Sequence, residues 1–150
     1  MYITRVANYP FRLYNSNMHA LGKKEVKTFK SKHAISFLHA VDGIVAAYKS
    51  QPNLKIIFSS AFLVFVAGLF FKISRIEWLI LVLTVFIVVI AEMANTAMEA
   101  TVDLITGEWK EEAKFAKDVT AGGVLLAVVG SIVIGLIIFL PRLISLIEVV

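Results

Sequence analysis

Residues 91–103, AEMANTAMEATVD, decide how the rest of the chain is read. They finish an apolar run that starts at Trp78, and they bring Glu92, Asn95, Thr96, Glu99 and Asp103 into it at mostly three- and four-residue spacing. Wound at about 100° per residue, these side chains fall within an arc of about 100°, so one side of a helix carries three carboxylates. At about 1.5 Å per residue Glu92 lies about 21 Å from Trp78, roughly 9 Å short of the far boundary of a hydrocarbon core. Asp103 stands about 16 Å further on, at or beyond the headgroups. The stripe runs from membrane to water.

Two more segments are apolar enough to matter: Ile56 to Phe71, and Val119 to Leu140 without a single charge. A core of roughly 30 Å needs about 20 residues, which the latter supplies, while the former draws on Leu54 and on snorkelling Lys55 and Lys72. Spanning helices are expected at about residues 54–72, 77–105 and 119–140. With 59% apolar and 17% charged residues in 150 and a mean hydropathy of +0.82, an ordinary soluble domain is excluded. The lack of Cys removes disulfide scaffolds, thiolate zinc sites and cysteine nucleophiles. The +4 charge does not point to nucleic acid, because Lys and Arg gather at the ends of the apolar runs. Of the 15, 12 fall before the first span or in the Thr106–Lys117 loop, leaving Lys72, Arg75 and Arg142 on the other side. That asymmetry predicts a multi-pass protein of the cytoplasmic membrane with its N-terminus in the cytoplasm. No apolar run in the first thirty residues suggests a cleaved signal peptide.

Residues 1–28 mix aromatic, Asn and basic residues without a period and read as a flexible or surface-bound extension. From Ile35 to Tyr48, Phe37, Leu38, Val41, Ile44, Val45 and Tyr48 recur at helical spacing, which fits an amphipathic helix in the membrane interface that Pro52 interrupts. A cap packed on the bundle is the alternative. In the third span Gly123, Ala127, Gly130 and Ser131 share one side, the pattern of close helix packing.

A carboxylate at membrane depth costs about 2.5–3.5 kcal/mol on insertion scales, so it should face the bundle interior, be paired or be protonated. Interhelical hydrogen bonds can account for Asn95 and Thr96 but not for three acids. With no Lys, Arg or His inside the apolar cores, a metal ion, a proton or a substrate is left as partner. An acid just inside the bilayer can reach a lipid hydroxyl, while acids nearer the cytosol can hold Mg²⁺ and through it the phosphates of ATP. Basic residues should then collect at that mouth, and the loop TGEWKEEAKFAKD supplies Lys110, Lys114 and Lys117 beside Glu108 and Asp118. A base, a metal-binding acid and a lysine suffice for phosphoryl transfer. No GxxxxGK[ST] loop and no HRD or DFG motif is present, which excludes P-loop and protein-kinase folds.

The string Glu92-x-x-Asn95-x-Ala97-x-Glu99-x-x-x-Asp103, followed by Ala116-Lys117-Asp118, resembles the prokaryotic diacylglycerol kinase family of small three-span membrane kinases, which includes undecaprenol kinases. The resemblance runs from about Phe29 to Leu140. It implies an all-α membrane protein of three transmembrane helices behind an interfacial helix, assembled as a homotrimer with sites shared between protomers, and a kinase domain over residues 29–150. It implies ATP and Mg²⁺ as cofactors and a lipid alcohol, undecaprenol or diacylglycerol, as substrate, in phospholipid or envelope lipid-carrier metabolism. Residue by residue, Glu92 matches the catalytic base, Asn95 an active-site asparagine beside it at the lipid hydroxyl, and Glu99 the acid on the nucleotide's metal. Asp103 matches a further acid of that site, Glu108, Trp109 and Lys110 a loop that touches ATP, and Lys117 with Asp118 a nucleotide-binding pair. Phe37-x-x-Ala40-x-x-Gly43-Ile44 is similar to the family's surface helix, and His39 stands where an aromatic residue contacts nucleotide. Asn53-x-Lys55-Ile56 is similar to an NxRIH segment, with Lys55 for Arg and Ile57 for His. Where many members carry a metal-binding Glu, this chain has Gln51, whose amide oxygen can still coordinate but brings no charge. The details of VDL, AKDVTAGGVLL and VIGLIIFLP resemble the undecaprenol branch more closely.

Two readings from other classes compete. A proton- or cation-conducting subunit would use Glu92 as a mid-membrane carrier, and a non-catalytic scaffold would tolerate replacement of Glu92, Asn95 and Glu99 alike.

Overall fold

A computed structural model describes residues 29–148, with side chains from Phe37, and the extension expected at residues 1–28 lies outside them. Four helices follow one another, α1 (Phe29–Ser50), α2 (Pro52–Phe70), α3 (Arg75–Ile105) and α4 (Glu111–Glu148), and no strand occurs among the described residues. The chain divides into two units, Met1–His39 and Ala40–Val150, and the three long helices all belong to the second. These three are long and apolar enough to cross a membrane. On α1 the six apolar residues of the expected amphipathic face are all exposed, and Tyr48 meets Phe58 of α2 edge to face.

Between α1 and α2 Gln51 takes an extended conformation and Pro52 follows as the first helical residue, where its missing N–H costs nothing. The turn from α2 to α3 is built more tightly. Lys72 adopts left-handed backbone (φ 49°), its N–H donates to the Leu69 carbonyl at 3.3 Å, and that of Ile73 donates to the Gly68 carbonyl at 3.2 Å. This is a Schellman closure with lysine in the position glycine usually takes. Ser74 at once begins α3 with a capping box: its hydroxyl accepts from the Glu77 N–H while the Glu77 carboxylate accepts from the Ser74 N–H at 2.7 Å. Ile73 tucks in just before the cap and packs with Trp78, a hydrophobic staple. Trp78 also lies against Phe65 and over Gly68, where an added Cβ would stand 2.7 Å from the indole ring. Leu54 lies fourteen residues before Gly68 and Glu92 fourteen after Trp78, about 21 Å in each case, so the two stand at one level along the hairpin.

α3 and α4 form the main packed pair, antiparallel and tied at both ends. At one end Arg142 donates to Glu77 at 2.8 Å, and at the other Lys117 meets Asp103 at 2.5 Å. Asp103 follows Glu77 by 26 residues and Arg142 follows Lys117 by 25, so the helices stay in step over about 39 Å. The buried residues of α3, Leu81, Thr84, Val88, Glu92, Asn95 and Val102, recur at intervals of three, four and finally seven residues and make one seam. Ile73, Leu81 and Ile138 close its apolar end.

α4 is longer than the apolar run it contains. It starts at Glu111, eight residues before the apolar run, and continues through Pro141 to Glu148. The start is charged but helix-forming, with Lys114 and Asp118 paired one turn apart. The expected Thr106–Lys117 loop therefore shrinks to the residues between Ile105 and Glu111. Pro141 cannot donate to the carbonyl four residues back, and Arg142 instead bonds the neighbouring carbonyl of Ile138 with its guanidinium while reaching Glu77. The small-residue side of α4 is only partly used within one chain: Ala127 and Ser131 are half-buried, whereas Gly123 and Gly130 are exposed and an added Cβ would touch nothing.

Two substitutions at the turn should move stability in opposite directions. Gly68→Ala should destabilise the protein by about 1–3 kcal/mol in a denaturant titration in micelles, because the Trp78 ring has to yield. Lys72→Gly should stabilise it by about 1 kcal/mol by relieving left-handed backbone. No change in the first, or a loss in the second, would contradict this account of the turn.

Candidate active site

The acidic face of α3 is graded by its surroundings. Glu92 is 2% exposed and Asn95 7%, both in the seam, Glu99 is half-buried, and Asp103 is open to solvent. The amide nitrogen of Asn95 donates to Glu99 at 3.0 Å, which leaves the Asn95 carbonyl oxygen buried without a donor. Buried amide oxygens are nearly always satisfied, so this atom calls for a hydroxyl or N–H from outside the chain's own side chains. Thr96 spends its hydroxyl on the Glu92 carbonyl at 2.9 Å, a helix-internal bond. Thus the two most buried polar side chains offer one carboxylate and one acceptor, adjacent on one face.

The mouth of the seam is ionic. Asp103 is held by Lys117, so of the three acids it has a protein cation after all, supplied by α4 just before its apolar run. Lys117 and Asp118, expected to act as a pair, turn to different partners: Lys117 crosses to Asp103, and Asp118 takes Lys114 on its own helix. Residues adjacent in a helix point about 100° apart, which is why the two do not meet. Glu108, Trp109 and Lys110 are all exposed in the short connection, whose Thr106 hydroxyl bonds the Glu108 N–H at 3.2 Å. His39 is exposed on α1. Gln51 is half-buried and makes no side-chain cap, and counting seventeen residues back from Gly68 and forward from Trp78 puts it level with Asn95.

Among the described residues no three His, Cys, Asp or Glu side chains converge on a point. The donors near the mouth that no cation already holds, Glu99 and the Gln51 amide, are hard oxygens. They suit Mg²⁺, which asks for one or two carboxylates and takes its other ligands from phosphates and water rather than from a protein cage. The chemistry of the donor set fits, with Glu99 already oriented through Asn95.

Residues 38–139 match the family described as prokaryotic diacylglycerol kinase. An undecaprenol kinase of Bacillus subtilis is 42% identical over 108 residues, covering 72% of this chain and 88% of its own length. A diacylglycerol kinase of Synechocystis sp. is 38% identical over 113 residues, covering 75% of this chain and 65% of its own length.

If Asn95 serves a ligand more than the fold, its removal should cost little stability. Asn95→Leu gives up one hydrogen bond within α3, to Glu99, and one unsatisfied oxygen, so unfolding in micelles should shift by less than about 1 kcal/mol. A loss of several kcal/mol would mark the amide as structural.

Proposed function

The chain belongs to the prokaryotic diacylglycerol kinase family and is a lipid kinase of the membrane. From that premise we propose that it transfers the γ-phosphate of ATP, with Mg²⁺, to the hydroxyl of a membrane lipid alcohol at the cytoplasmic face. The observation that carries this reading is the burial of Glu92 and Asn95 in the α3–α4 seam, on the face that ends in the Asp103–Lys117 pair about 16 Å away.

A lipid alcohol keeps its tails in the bilayer and brings only its hydroxyl to that depth. The Asn95 carbonyl accepts the hydroxyl's hydrogen bond and aims the oxygen, and the Glu92 carboxylate takes the proton as the oxygen attacks phosphorus. Burial excludes water from this point, so the lipid rather than water is phosphorylated. Glu99, with Gln51 at a neighbouring level, holds the metal, which when bound neutralises phosphate charge and orients the nucleotide. Lys117 and Lys110 screen the phosphates, with Asp103 beside Lys117, while Glu108, Trp109 and Asp118 complete the nucleotide site. A homotrimer would let a neighbouring protomer close the open side of each seam, which fits the exposed Gly123 and Gly130. The undecaprenol kinase of Bacillus subtilis is covered over more of its length and at higher identity than the diacylglycerol kinase, which favours a polyprenol acceptor. The ion-carrier alternative has less support: beyond Glu92 the seam is apolar save for Thr84, whose hydroxyl donates to its own helix at 2.7 Å.

Purified protein offered undecaprenol and diacylglycerol side by side with labelled ATP should phosphorylate the former faster, and only with Mg²⁺. Glu92→Gln should lower lipid phosphorylation by about 10²-fold or more with the assembly intact. An active Glu92→Gln enzyme would remove Glu92 as base, and labelled lipid in neither case would remove the acceptor class.

A further inference from the structure

Asp103 is the exposed member of the acidic face, at the last turn of α3, and its carboxylate lies 2.5 Å from the Lys117 ammonium across the hairpin. We infer that Asp103 is a positioning residue that holds Lys117 aimed at nucleotide phosphates, rather than a ligand of metal or nucleotide itself. This rests on the reading of Lys117 as a phosphate-binding residue.

Three features of the mouth lead there. First, among the described residues Lys117 has no other acid in hand: Asp118 points away along the helix circumference and is taken by Lys114. Second, the pair is accessible, with side-chain exposure of 36% for Lys117 and 56% for Asp103, so a phosphate can reach the ammonium without the pair opening. A lysine carries three N–H donors, and one spent on Asp103 leaves two for phosphate oxygens. Third, the anchor is rigid. Asp103 lies one turn beyond Glu99 on the same face of α3, and Lys117 lies in the first turns of α4, where Thr120 bonds back to the Lys117 carbonyl at 3.0 Å. A long flexible side chain would otherwise have to lose its rotamer freedom when nucleotide binds, and the ion pair imposes that order beforehand. With the lysine turned along the seam, its charge sits one helical turn from the carboxylate proposed to hold the metal.

The test is a double-mutant cycle on the full chain in lipid–detergent micelles, with the KM for MgATP as readout: Asp103→Asn, Lys117→Met and the two combined. Exposed ion pairs of this kind are worth about a two- to fivefold factor, so Asp103→Asn should raise KM by that much with kcat changed less than about twofold. Lys117→Met should raise KM further, and the double variant should match Lys117→Met, because Asp103 has nothing left to position. Asp103→Glu, which keeps the pair, should recover the wild-type KM. Multiplying effects in the double variant, or a KM that stays or falls in Asp103→Asn, would overturn the inference while leaving the kinase reading in place. A wild-type KM in Lys117→Met would overturn both this inference and the phosphate-binding role of Lys117.

Discussion

The register between α3 and α4 rests on two ion pairs, Glu77–Arg142 and Asp103–Lys117, set about 39 Å apart. Neither is strong, since each is partly open to solvent, where screening and side-chain entropy leave an ion pair little net energy. Their weight lies in position. The separation exceeds the roughly 30 Å hydrocarbon core, so both pairs can stand in the polar layers with the apolar stretches of α3 and α4 and the buried Glu92 and Asn95 between them. A slip by one helical turn would part both pairs together and would shift the Glu92–Asn95 face about 5.4 Å along the seam.

That enclosure is what allows a carboxylate at depth. Most large apolar side chains of α2, α3 and α4 are exposed on the outside of the bundle, as lipid requires, and the few buried positions of α3 include Glu92 and Asn95. The chain thus spends its scarce interior on polar groups. The orphaned Asn95 oxygen makes the same point from the hydrogen-bond side, because nothing among the described side chains satisfies it.

Much of this was readable in the amino-acid string. The three apolar runs mark the three long helices, and the spacing of Glu92, Asn95, Glu99 and Asp103 marks one face, because the 3.6-residue period is a property of the backbone alone. The start of α4 was not visible to hydropathy, since EEAKFAKD is charged; its helix comes from propensity and from the Lys114–Asp118 pair. The Ser74-x-x-Glu77 capping box, and not hydropathy, sets the start of α3 three residues before the apolar run at Trp78. The partners of Glu77 and Asp103 were not legible, because Arg142 and Lys117 are brought to them only by the antiparallel register. Gly68 likewise looks like one more small residue until Trp78 is seen to lie over it.

The turn from α2 to α3 has a consequence for biogenesis. Its closure overlaps the cap of the following helix, and Ile73 and Trp78 seal it, so neither helix has slack to travel without the other. The pair must enter the bilayer as one hairpin, with the uncharged stretch of α2 supplying hydrophobic transfer energy that the acid-bearing half of α3 lacks. Leu54, almost completely covered, arrives at the level of Glu92 as this happens. The acid is chaperoned into the hydrocarbon by its neighbour in the same chain.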